Sequence, residues 1–146
     1  MEYPLLKKII EWLVHQYERI EGHSRITKLL YLAENAWYLE NGSTYTEATF
    51  VRGYSLPFSK EVPQVLQWMD GIEVIECEKY DSHINYYVPG SRSRLNAIEL
   101  NVKFKELMQS IADIWIRAPH SKLSDYLYTI ESFDKANIGD QLFPIK

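Results

Sequence analysis

Four histidines and one cysteine are the side chains of this chain best suited to metal binding or nucleophilic chemistry, and their spacing argues against both. His15, His23, His83 and His120 lie far apart, and none belongs to an H-x-x-x-H or H-E-x-x-H pattern that would set two ligands one helical turn apart. A zinc site would have to be assembled from scattered donors, so surface and capping roles are the simpler expectation. Cys77 falls in "IEVIECE", a run that reads as a β-strand, with no local His or helix start to stabilise a thiolate. It is expected to be a small buried apolar group. Glu76 and Glu78 sit in that same acidic strand, where solvated charge is the default reading. The segment "PGSRSR" at 89–94 has a single glycine, too few for a phosphate loop or dinucleotide fingerprint, and no G-x-S-x-G occurs. The expectation is a non-enzyme with no catalytic residue, metal ligand or cofactor.

What the chain has in surplus is aromatic surface, with 11 Tyr, 4 Trp and 5 Phe. Lys28, Tyr31, Asn35 and Tyr38 follow i, i+3, i+7, i+10, one stripe of a helix whose apolar residues lie roughly opposite. Tyrosine combines a large apolar body with a hydrogen-bonding tip and gathers at interfaces. The stripe therefore reads as a partner-binding face, with equal weight on a central helix covered on both sides. A second candidate is "TFVRGYSLPFSKEV", residues 49–62, where Tyr54, Leu56 and Phe58 occupy what should be a polar loop. Gly53 and Pro57 predict a strand-to-helix turn, with Phe58 packing on the next helix as a staple and Tyr54 and Leu56 touching the second helix. The stretch reads first as a structural joint and second as the edge of a binding surface.

The elements that must position these residues follow from periodicity. Leu6, Ile9, Ile10, Leu13, Tyr17 and Ile20 predict a first helix from Pro4 to about Ile20, ended by Gly22. Ser24 is the expected N-cap of a second helix, carrying Ile26, Leu29, Leu30, Ala33 and Trp37 and stopped by Gly42. Thr49–Val51 favour a short strand. Ser59 is expected to cap a third helix, ended by Gly71, and residues 72–89 read as a hairpin. An Asn96–Glu99 capping box is expected to open the longest helix, striped by Phe104, Leu107, Met108, Ile111, Trp115 and Ala118. Ser121 then caps a last helix with Leu123, Leu127 and Ile130. No repeat or linker interrupts the pattern, so residues 1–146 are expected to form a single, mainly α domain of about five helices with a short strand and a β-hairpin.

Whole-chain properties narrow the function classes. With 46% hydrophobic and 25% charged residues the chain can bury a core and is not of disordered type. A net charge of -4 steers it toward no polyanion. The N-terminal segment carries Glu2, Lys7, Lys8 and Glu11, too charged for a signal peptide, and no run approaches the ~20 apolar residues of a membrane span. A cytoplasmic protein that engages no membrane is expected. Three helices followed by a hairpin also suggest a winged-helix DNA-binding regulator, with Arg92 and Arg94 just past the wing. The third helix would present Glu61 and Asp70 to phosphates, however, which sets nucleic acid second.

Two stretches, "ITKLLYLAENAWYLENG" and "TFVRGYSLPFSKEVPQVL", resemble the Panacea domain, a family found in phage-associated proteins and in antitoxins of toxin–antitoxin pairs. Lys28, Leu29, Leu30 and Tyr31 match its first element, and Phe50, Pro57 and Val62 its second. "LSDYLYTIESFDKANIGDQL", with Phe133, Ala136 and Gly139, is similar to its ending, so the likeness runs from about Ile26 to Ile145. Leu56 stands before Pro57 where the family has glycine. The resemblance implies a mainly helical fold, no cofactor, and a protein partner, often a toxin from a neighbouring gene that is neutralised by complex formation. A phage-derived adaptor is the other role it suggests. Combined with the aromatic surplus, it makes Lys28, Tyr31, Tyr38, Tyr54 and Leu56 the expected partner-binding residues.

Overall fold

The centre of the molecule is a helix buried on every side over much of its length, its polar and charged residues included. In the computed structural model, which describes residues 3–69, 71–79, 82–90 and 99–145 but not the side chains of 77–79 and 82–83, α2 spans His23–Asn41 and every residue from Arg25 to Asn35 is buried. A helix with both faces covered must be enclosed by its neighbours. Gly42 ends it in the left-handed conformation, its N–H donating to the Tyr38 carbonyl at 2.8 Å. At the other end Gly22, at φ 77°, is the N-cap in place of the expected Ser24.

Before it comes α1, Pro4–Tyr17, with proline in the first turn where its missing N–H has no partner to lose. The first-turn donors Leu5 N–H and Leu6 N–H are taken by the Glu47 carboxylate, at 3.2 and 2.9 Å, from 41 to 42 residues away. The helix stops at Tyr17 and not at Ile20, because Glu18 turns left-handed and Ile20–Glu21 enter a strand, β1. β2 (Val51–Arg52) and β3 (Pro57–Phe58) form a two-stranded hairpin leading into α3, Glu61–Trp68. Ser59 does not cap that helix: its hydroxyl donates to the Glu61 side chain at 3.1 Å. β4 (Ile72–Lys79) and β5 (Ser82–Pro89) pair antiparallel from Ile72↔Pro89 to Lys79↔Ser82.

The C-terminal half contains α4 (Val102–Trp115), α5 (His120–Leu127) and α6 (Glu131–Asp134). Asn101 caps α4, its side-chain oxygen accepting Lys103 N–H at 3.0 Å and Phe104 N–H at 3.1 Å. The helix is accordingly shorter than expected and α2 is the longest among the described residues. Pro119, not Ser121, occupies the N-cap of α5. Asn96, Asp70, Arg92 and Arg94 lie outside the described residues, as do the side chains of Cys77 and His83.

The mainly α expectation, drawn from periodicity and from the Panacea resemblance alike, is corrected to an α+β fold. Six helices among the described residues are joined by a three-stranded antiparallel sheet ordered β1-β5-β4 and a second sheet of β2 and β3. The addition comes from Ile20 and Glu21, which pair with Tyr87 and Tyr86 and extend the predicted hairpin into a sheet that packs on α1. Among the described residues no helix is long and apolar enough to cross a membrane.

Candidate partner-binding surface

Two exposed aromatic residues, Tyr54 and Phe58, lie on the β2–β3 hairpin. Gly53 N–H donates to the Leu56 carbonyl at 2.9 Å, closing a four-residue loop. A Cβ on Gly53 would stand 2.5 Å from that carbonyl oxygen, so only glycine fits this close approach. On its other side β2 is paired to the C-terminal segment: Arg52 N–H donates to the Asp140 carbonyl, Gly139 N–H to the Arg52 carbonyl and Leu142 N–H to the Phe50 carbonyl, at 2.8 to 2.9 Å.

Arg52 locks this arrangement from within. It is 7% exposed, and its Nε–H donates to the Phe133 carbonyl at 2.9 Å. Its Nη1 donates to the Gly53 carbonyl and, at 2.9 Å, to the Tyr54 carbonyl. The guanidinium carbon lies 3.8 Å from the centre of the Phe133 ring and 5.2 Å from that of Tyr128. The Tyr128 hydroxyl donates to the Tyr54 carbonyl at 2.7 Å. Three carboxylates anchor the approach to the hairpin: Glu34 accepts from Tyr45 and Thr46, Glu47 holds α1, and Glu61 accepts from the N–H and hydroxyl of Thr49. Burial pushes the Glu34 carboxyl up to about 7 against the pull of the donors around it.

On this hydrogen-bonded frame Tyr54 is 81% exposed and Phe58 55% exposed. Neither packs as expected. Tyr54 projects outward and does not lie against α2; only its backbone is held. Phe58 is not a staple, because the alternation of β3 buries Pro57 and turns Phe58 to solvent. Leu56 is half-buried.

The α2 stripe is the larger correction. Tyr31 is 0% exposed, its ring 5.7 to 5.9 Å from those of Phe50, Phe133 and Phe143. Its hydroxyl is hydrogen-bonded to Ser132 Oγ at 3.1 Å, and that oxygen donates to Asn35 Oδ1 at 2.7 Å. Lys28 is buried with Nζ donating to Ser124 Oγ at 3.2 Å. Tyr38 is half-buried against Phe143, 5.4 Å between ring centres. The stripe is a second core face, covered by α5, α6 and the C-terminal tail. The sequence predicts a packing role for Phe58 and none for Arg52 and Tyr128; the one available signal for Arg52 was an arginine at the end of a short strand-like run between Phe50 and Tyr54.

Among the described residues His23 and His120 line one cleft with Glu21 and Ser24, whereas His15 lies apart from them. His15 Nε2 is hydrogen-bonded to the Gly71 carbonyl at 2.9 Å, and among the described residues no group of three His, Cys, Asp or Glu side chains is placed to hold a metal ion. No protein-family model, curated protein or solved structure matches the chain.

Proposed function

We propose that this chain is a non-catalytic binding protein of the antitoxin kind, which sequesters a protein partner through the β2–β3 hairpin. The observation that carries this reading is the pair of exposed rings, Tyr54 and Phe58, on a hairpin whose backbone is held by Arg52, Tyr128 and the C-terminal segment. Aromatic groups on a pre-organised backbone lose little conformational freedom on binding, which is why they dominate interface energetics. The Panacea resemblance supplies the class of partner, a toxin encoded by a neighbouring gene and met in the cytoplasm. Burial of Lys28 and Tyr31 moves the contact surface from α2 to Tyr54, Leu56 and Phe58.

The test is co-expression with the neighbouring gene's product, followed by pull-down and by growth rescue. Wild type is expected to form a stable complex. Tyr54→Ser with Phe58→Ser is expected to melt like wild type, since exposed positions usually change stability by about 0.5 kcal/mol or less, and to bind at least ~10-fold more weakly. A wild-type chain that neither captures nor neutralises that product, or a double variant that binds it undiminished, refutes the proposal.

A further inference from the structure

Away from the hairpin residues, positive charge is concentrated where α1, β1, α2, β5 and α4 meet. A cleft of about 440 Å³ is lined there by Arg19, Glu21, Arg25, Tyr86, Ile116 and Arg117. Three guanidiniums thus face one carboxylate, in a chain whose net charge is -4.

The hydrogen bonds and ring contacts of each arginine are to neutral groups, and Glu21 is the carboxylate whose charge acts on Arg25. Arg117 donates Nη1 to the Arg19 carbonyl and, at 2.9 Å, Nη2 to the Tyr17 carbonyl. The Arg19 guanidinium carbon lies 3.8 Å from the centre of the Tyr86 ring. Arg25 donates Nη1 to the Trp115 carbonyl at 2.8 Å. It is 4% exposed, and its buried Nε has no hydrogen-bond partner. None of the three forms an ion pair with a carboxylate among the described residues.

A buried cation ordinarily finds a counter-charge, and truncating or omitting one is costly. Here the surroundings bring further basic groups, which Glu21 alone opposes among the groups acting on Arg25 and His120. Lys28, also buried, donates only to a serine hydroxyl, and His120 is near enough to Arg25 and Lys28 to feel both charges. Desolvation first, and then Arg25, pulls Lys28 below its ordinary range; desolvation, Arg25 and Lys28 do the same to His120.

We propose that this cleft binds a phosphate group, with Arg19, Arg25 and Arg117 as its ligands and Glu21 as the opposing charge that weakens binding. Guanidiniums match tetrahedral oxyanions through paired N–H donors, and a phosphate of nearly two negative charges balances three arginines less one glutamate. The group can be the phosphate monoester of a small metabolite, or two successive, singly charged phosphodiesters of a nucleic-acid backbone.

The test uses the full chain at constant ionic strength, with thermal unfolding and calorimetric titration against inorganic phosphate, sodium chloride, sodium acetate, a mononucleotide and a short DNA duplex. Inorganic phosphate is expected to raise the melting temperature where chloride and acetate do not. Arg19→Ala, at an exposed position, is expected to weaken phosphate at least ~10-fold, the loss of one charge-assisted hydrogen bond. Glu21→Gln is expected to tighten it, a sign that a purely structural role for these residues does not produce. A mononucleotide response without a duplex response assigns a small-molecule source; a duplex response that falls steeply with salt assigns nucleic acid. No phosphate-specific shift in wild type, an acetate shift equal to that of phosphate, or an unchanged affinity in both variants overturns the proposal. Arg25→Met serves as a further check on the buried ligand, with circular dichroism to establish its fold.

Discussion

Arg52 and Phe133 are joined twice, through an Nε–H donated to the Phe133 carbonyl at 2.9 Å and through a guanidinium stacked 3.8 Å from the centre of the same residue's ring. This double contact ties the hairpin to α6 across 81 residues of chain. It also explains how an arginine is buried without a carboxylate: its charge is met by carbonyl dipoles and ring faces.

Arg52→Lys keeps the charge but loses the planar fork, leaving the Phe133 and Tyr54 carbonyls short of donors. We expect a stability loss of about 2–3 kcal/mol in urea unfolding. A midpoint unchanged from wild type would show that the latch contributes nothing.

Gly53→Ala forces a methyl group to within 2.5 Å of a backbone oxygen, which cannot move aside as a flexible side chain can. The hairpin must open, at a cost of about 1–3 kcal/mol. Hydrogen exchange at the Gly53 position should lose protection in the variant, and retained protection would count against the close approach.

Tyr31 separates core from interface roles. Tyr31→Ala empties a fully buried ring site and is expected to cost about 3–5 kcal/mol, whereas Tyr31→Phe loses only the contact to Ser132 and costs about 1 kcal/mol. Chemical denaturation of the two variants side by side decides the matter: equal losses would mean that the ring is not packed as described.

Glu34 makes stability depend on pH. Its carboxyl, ordinarily near 4.5, is pushed up to about 7 in the folded chain, chiefly by burial. The folded state therefore holds the proton more tightly than the unfolded one. The associated stability is fully present below pH about 4.5 and is lost as pH rises through about 7, roughly 3 kcal/mol in all. Glu34→Gln should abolish that slope between pH 4.5 and 7 even though it weakens the bonds to Tyr45 and Thr46. A wild-type stability that is flat over this range would contradict the shift.

Local signals determined much of the chain's layout. The hairpin at 72–89, the stop of α2 at Gly42 and the proline in the first turn of α1 all rest on neighbouring residues alone, through alternation, backbone freedom and capping chemistry. Local propensity also placed a strand near Val51. The expected strand-to-helix turn at Gly53 and Pro57 is instead a hairpin with Pro57–Phe58 as its second strand, and the side to which Tyr54 and Phe58 face was not legible.

Tertiary structure alone decided the rest. A two-residue strand such as Ile20–Glu21 has no readable period, and it forms because Tyr86 and Tyr87 lie alongside. The same spacing of Lys28, Tyr31, Asn35 and Tyr38 describes an interface or a core face equally well. It became core because Ser124, Ser132 and Phe143, about a hundred residues further on, fold back over it. Helical periodicity shows which side chains share a face, whereas burial depends on what the rest of the chain places against that face.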